Sequence, residues 1–124
     1  MYLVFWIGLG GFLGTIARYF TGRLALQLFS AQFPYGTLSV NLIGCFLIGL
    51  IYGWFEKHHI YSDEWKLILA TGFCGGFTTF SAFSIENLQL LREGEIGQML
   101  LYTFISVGIG LLATFGGLSL MKSL

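Results

Sequence analysis

Charge is what this sequence has least of. Only 10% of its 124 residues are Asp, Glu, Lys or Arg, where a soluble domain carries roughly a quarter. The chain therefore lacks the polar surface needed to meet water. Its six cations and six anions cancel, so nothing in the balance suggests electrostatic capture of nucleic acid. There are two cysteines, each alone inside an apolar stretch. Cys45 and Cys74 therefore read as small packing residues rather than a disulfide framework. The two histidines, His58 and His59, are adjacent in a charged segment. They cannot clamp a haem between apolar helices, and no metal-ligand spacing occurs elsewhere. No nucleophile has a paired base, which argues against an enzyme.

What the sequence does have is apolar length. Hydrophobic residues make up 56% of the chain, and mean hydropathy is +0.80. Four long stretches run between the charges, and a helix needs about 20 apolar residues to cross a bilayer core. The stretch from Leu24 to Phe55 is too long for one crossing, and the single proline, Pro34, divides it. The pattern predicts an all-α membrane protein in one domain, 1–124, with transmembrane helices over 3–22, 35–55, 65–91 and 95–121. The first stretch does not read as a cleaved signal, because its first cation, Arg18, follows the apolar run.

Four spans put both termini on one side. Lys57, Lys66 and Lys122 fall on that side, and Arg18, Arg23 and Arg92 on the other, three against three. Lys/Arg bias sets orientation, so the chain carries no clear instruction about which way to insert. Either six charges make a noisy count, or chains insert both ways and pair antiparallel.

Eighteen glycines are about twice the usual share. Gly10 and Gly14, Gly49 and Gly53, and Gly72 and Gly76 each lie one helical turn apart. Such faces let helix backbones approach in lipid, and four helices offer little interior to hide them, which favours an oligomer. The run from Gly8 to Gly14 fails as a dinucleotide fingerprint, because Leu13 takes the third glycine position and no strand precedes it.

The informative residues are polar ones that lipid should exclude. Asn41 lies about two turns into the second span, where an amide faces a bundle interior or a wet cavity. In the third span, Gly75-Gly76 is followed by Thr78-Thr79, poor material for an unbroken helix. The third helix is therefore expected to break near mid-membrane. A break frees carbonyls that either lie buried in protein or line a cavity, and such carbonyls can coordinate a cation. The alternative is a kinked, dry helix. Phe80 and Phe83 follow on one face. Aromatic ring edges are electropositive. A Phe pair is ordinarily core, but here Thr79, Ser81 and Ser84 interleave with it. The fourth span adds Tyr102 and Ser106, one turn apart, with Thr103 beside them. No charged residue occupies the middle of a span, so the titratable group of a proton-coupled pump is missing. Arg18 and Glu86 sit toward span ends, where a pore vestibule can hydrate them.

The segments Gly10 to Tyr19, Gly36 to Gly44 and Gly72 to Ser84 resemble, in order, those of the CrcB/Fluc fluoride channels. The last, with its Gly-Gly-x-Thr-Thr-Phe-Ser-x-Phe-Ser run from Gly75, is the most specific. The resemblance implies a passive fluoride exporter of the bacterial inner membrane. It implies an antiparallel, dual-topology homodimer with two pores and a central structural sodium ion. Asn41 would then be the pore amide, and Phe80 and Phe83 the fluoride-facing aromatics, with Thr79 and Ser81 beside the path. Gly75 and Thr78 would hold sodium through backbone carbonyls from both subunits. Tyr102 and Ser106 would form the hydroxyl track, and Glu86 would be the acidic residue after the motif. Gly110 stands where another hydroxyl is expected, which shortens the track.

Two other readings stand beside this one. A small multidrug transporter relies on an embedded Glu in its first span, and this first span has no acid. A non-transporting membrane subunit would account for the glycine packing but not for Asn41 and the interrupted third span.

Overall fold

The computed structural model describes residues 2–30, 32–59 and 63–124. It holds four helical spans long and apolar enough to cross a membrane: Tyr2–Leu28, Tyr35–Lys57, Asp63–Arg92 and Ile96–Ser123. No strand occurs among the described residues.

The ends of the spans follow from local chemistry. Pro34 caps the second helix at φ −77°, and the Leu38 N–H donates to its carbonyl at 3.1 Å. The third and fourth spans are joined by a tight glycine turn. Gly94 takes φ +77°, and the N–H groups of Gly94 and Glu95 donate back to Leu91 and Leu90 at 3.1 and 2.8 Å. That 5→2 and 6→1 pair closes the helix end, and the positive φ is why a glycine stands there. The first helix runs to Leu28, beyond the limit of 22 drawn from the charges. Arg23 does not end it, because its Nη1 donates to the Tyr19 hydroxyl one turn back at 3.2 Å.

Packing is glycine-led. A Cβ at Gly14 would collide with the Phe73 carbonyl, and one at Gly10 would lie 2.8 Å from the Ile68 carbonyl. Gly72 and Gly76 answer from the third span, against the backbone of Ile7 and Gly11. Gly49 and Gly53 meet the fourth span at Thr114 and Leu118 in the same manner. All three glycine pairs expected to drive oligomerisation are therefore used between helices of one chain. They are not left over as a surface for a second copy.

Little else is inside. Among the described residues the buried hydrophobics include Val40, Phe77, Leu90 and Tyr102, and no polar or charged residue is buried. Phe5, Phe12, Phe20, Phe104, Leu111 and Phe115 are all exposed. A continuous apolar exterior of this kind belongs in lipid or against a partner, not in water.

The third span is not uniform. A π-helical stretch, Leu67–Cys74, leads into a last α-turn, Gly75–Phe77. Thr78 (φ −88°, ψ 159°) and Thr79 (φ −151°, ψ 116°) are then extended, and the helix resumes over Phe80–Arg92. The direction of the span changes only modestly there. The fourth span carries a second π-helical stretch, Ile105–Ile109. Wide turns of this kind are frequent at functional sites, and both of these border the region described next.

Candidate functional site

The extended pair Thr78-Thr79 needs partners for the main-chain groups its helix no longer satisfies. Asn41 supplies them from the second helix. Its Nδ2 donates to the Thr79 carbonyl at 3.1 Å, and the Thr79 N–H donates to its Oδ1 at 2.8 Å. One amide side chain thus stands in for a missing turn. Thr79 also begins the next helix, since the Ala82 N–H donates to its Oγ1 at 3.2 Å. That hydroxyl lies 3.2 Å from Ser81 Oγ. The Thr78 hydroxyl folds back to donate to the Cys74 carbonyl at 2.9 Å.

These bonds divert donors that a continuous helix would have aimed elsewhere. The Gly75 carbonyl would ordinarily accept from the Thr79 N–H, now given to Asn41. The Thr78 carbonyl would accept from the Ala82 N–H, now given to Thr79 Oγ1. Gly76 lies between them, and its carbonyl accepts from Arg18 Nε at 3.1 Å. Arg18 therefore reaches inward from the first helix to end a helix segment where its dipole is negative.

Two cavities meet at this joint. One, of about 390 Å³, is lined by Asn41, Thr79, Phe80, Phe83 and Ser106 among others, together with Gly75 and Thr78. The Phe80 and Phe83 ring centroids are 5.6 Å apart. Phe83 also rests on Tyr102, with centroids 5.0 Å apart. Phe80 is 78% exposed, so one of the two rings is covered within the chain and the other is not. Ser106 lines this cavity, and its Oγ is buried without a hydrogen-bond partner among the described residues.

The other cavity, of about 520 Å³, carries the charge: Arg18, Arg23, Glu86 and Glu93 line it, along with Thr37 and Thr79. Glu86 accepts from the Thr37 hydroxyl at 3.0 Å and from the Tyr102 hydroxyl at 3.1 Å. Thr79 lines both this polar basin and the aromatic cavity, and Asn41 holds it from the aromatic side.

The structure thus gathers Asn41, Thr79, Phe80, Phe83, Ser106, Gly75 and Thr78 around one space, and puts Arg18 and Glu86 on its neighbour. Tyr102 does not line the aromatic cavity; it is fully enclosed beneath Phe83 with its hydroxyl turned to Glu86. Ser81 is exposed beside Thr79 and lines neither space. Thr37 was not among the expected site residues. The signal available was its spacing, one helical turn before Asn41 on the same face.

The comparisons with known proteins agree in direction. Residues 5–118 match the family described as "CrcB-like protein, Camphor Resistance (CrcB)". A Flavobacterium psychrophilum protein named fluoride-specific ion channel FluC is 47% identical over 124 residues, covering all of both chains. A Chlorobium phaeobacteroides protein of the same name is 47% identical over 116 residues, 94% of this chain and 90% of its own. One from Rhizobium etli is 44% identical over 118 residues, 95% of this chain and 94% of its own. With a match across nearly its whole length and relatives this similar end to end, the chain belongs to the CrcB family.

Proposed function

We propose that this protein is a fluoride-selective channel that lets cytoplasmic fluoride leave the cell down its gradient. The observation that carries the reading is the Asn41 amide bonded across Thr79, at the wall between a charged basin and a cavity faced by Phe80, Phe83 and an unpartnered Ser106 hydroxyl. The relatives' name, fluoride-specific ion channel, supports the choice of ion. A member of this family is a membrane channel and not an enzyme.

The physical logic is one of replaced hydration. Fluoride is small and holds its water tightly, so a selective path must offer many donors in little space. Asn41 spends one Nδ2 hydrogen on Thr79 and keeps a second for an anion. Ser106 adds a hydroxyl, and the ring edges of Phe80 and Phe83 add electropositive rims. None of these is a fixed cation, so the ion is solvated without being trapped, as conduction requires. The neighbouring basin pairs Arg18 and Arg23 with Glu86 and Glu93, so it offers a hydrated approach to the joint without holding an anion by net charge.

The complete device in this reading is an antiparallel homodimer in the cell membrane with two pores, one per chain. Phe80, left largely uncovered by its own chain, suits a position against the partner. A structural sodium ion would sit where the two chains meet. The Gly75 and Thr78 carbonyls fit it, since both lose their usual helical donors to Asn41 and to Thr79 Oγ1 and hard cations take oxygen ligands. If bound there, sodium would supply positive charge to offset the partial negative charge of those carbonyls.

The test is efflux from liposomes holding the purified protein, with fluoride and chloride electrodes side by side. Rapid fluoride release without chloride release is expected. A folded dimer that releases neither ion, or both equally, would remove this reading.

A further inference from the structure

A third cavity, of about 500 Å³, shares no residue with the two at the joint. It is a groove between the first helix and the start of the third span. Trp6, Leu9 and Leu13 form one wall, Trp65 and Leu69 the other, and the lining ends at Phe73. The helix backbones close together beneath it, since a Cβ at Gly10 would lie 2.8 Å from the Ile68 carbonyl. Both tryptophans and all three leucines are exposed. Every exposed apolar face of this chain can meet lipid, but this one is concave and has a charge at one end.

Its length matches one leaflet. Two crossings separate the starts of the first and third spans, so both starts lie on the same side of the membrane. Trp6 and Trp65 stand near those starts, at the level where tryptophan gathers between water and hydrocarbon. From Trp6 to Leu13 the first helix rises about 10 Å, within the about 15 Å that one leaflet gives to the core. An acyl chain entering between the two indoles would run down the groove and end inside its own leaflet. The charge at the mouth is Glu64, the one charged residue among the described residues that line the groove. Lys66 is turned to the second helix instead, its Nζ 4.8 Å from the Tyr52 ring centre and 6.0 Å from that of Phe55.

We propose that this groove binds one phosphatidylethanolamine molecule per chain, with an acyl chain between the helices and the ammonium head against Glu64. An apolar trough with a single carboxylate at its water end complements an apolar tail carrying a cationic head, and it repels an anionic one. The indole N–H of each tryptophan is a donor for the ester and phosphate oxygens between tail and head. A second copy of the chain has its place elsewhere in the proposed dimer, against Phe80, which lines the aromatic cavity and not this groove. The site does not depend on which ion the protein carries.

The purified full-length protein is titrated in detergent with phosphatidylethanolamine, and separately with phosphatidylglycerol of the same acyl chains, and bound lipids are counted by native mass spectrometry. A plateau at one phosphatidylethanolamine per chain is expected, held about fivefold more tightly than phosphatidylglycerol, the upper range for an exposed charge pair. Glu64→Gln should keep the plateau and bring the two lipids within about twofold of each other. Leu9→Trp, checked for retained helicity, should fill the trough and remove the plateau for both. Adducts that climb without a plateau, or equal affinities for the two lipids in the unaltered protein, would mean ordinary boundary lipid and overturn the site. A plateau unmoved by Leu9→Trp would put the lipid elsewhere. A dimer that Leu9→Trp splits on size exclusion would make the occupant a second copy, and either result ends the proposal.

Discussion

Replacing Asn41 by Asp isolates charge from shape at the wall of the aromatic cavity. The carboxylate keeps an acceptor for the Thr79 N–H, now at 2.8 Å, so the interruption in the third span retains one of its two ties. The other tie reverses: the Nδ2 that donates to the Thr79 carbonyl at 3.1 Å becomes an oxygen facing an oxygen. A fluoride ion passing about 5 Å away would meet a repulsion of about 3 kcal/mol at an effective dielectric of about 20. At about 1.4 kcal/mol per decade, that slows flux by about two orders of magnitude. Asn41→Ala separates the terms, since it removes both hydrogen bonds and adds no charge. It should lose about 1–2 kcal/mol of stability, toward the low end for unsatisfied groups because the joint is half-buried and bordered by cavities. Its flux should fall less than that of the Asp variant. The assay is initial fluoride efflux from liposomes at matched protein density, with the dimer verified by size exclusion in detergent. An Asp variant that conducts as well as the Ala variant would refute the placement of an anion beside this side chain.

Other substitutions probe separate parts of the structure. Phe80→Ile should block or greatly slow fluoride efflux while leaving the dimer intact on size exclusion, because the exposed ring contributes its edge rather than packing; unchanged efflux would take it out of the path. Tyr102→Phe keeps the buried ring but removes the donor to Glu86, and should lower stability by about 1.5–3 kcal/mol, the range for a hydrogen bond to a charged group, read as an earlier thermal midpoint in detergent. Gly49→Val should abolish folded protein, since its Cβ would strike the Thr114 carbonyl of the fourth span; normal yield would mean the two helices can separate. Lys122→Ala breaks only an exposed pair with Glu56 at 3.1 Å and should shift the midpoint by no more than about 1 kcal/mol equivalent.

Much of this architecture is legible before any coordinates. Gaps between charges give the four helical spans, because in lipid only length and apolarity decide what crosses. Pro34 marks the start of the second helix for steric reasons that act locally. Asn41 and the Thr78-Thr79 pair stand out because each is costly in lipid taken alone. Their joining is another matter. They are 38 positions apart, and nothing in the spacing says that the amide answers the main chain of Thr79. The glycine pairs are similar: their spacing reveals faces for close approach but not which helix fills them, and the structure fills them within the chain. Arg18 reads as an end-of-span cation, yet its partner is a carbonyl on another helix. The π-helical stretches lie in ordinary apolar sequence and leave no mark on it.

The tie between Asn41 and Thr79 also bears on how the chain enters the membrane. A span whose main chain is satisfied only by a neighbour cannot settle alone in hydrocarbon, since the exposed N–H and carbonyl would cost several kcal/mol. Synthesis proceeds from the N-terminus, so the second helix, with its amide, is already in place when Thr79 emerges. The order of segments along the gene therefore supplies the clasp before the segment that needs it. A permuted chain with the third span made first would have to hold that segment at the insertion machinery, or at the membrane surface, until its partner arrived.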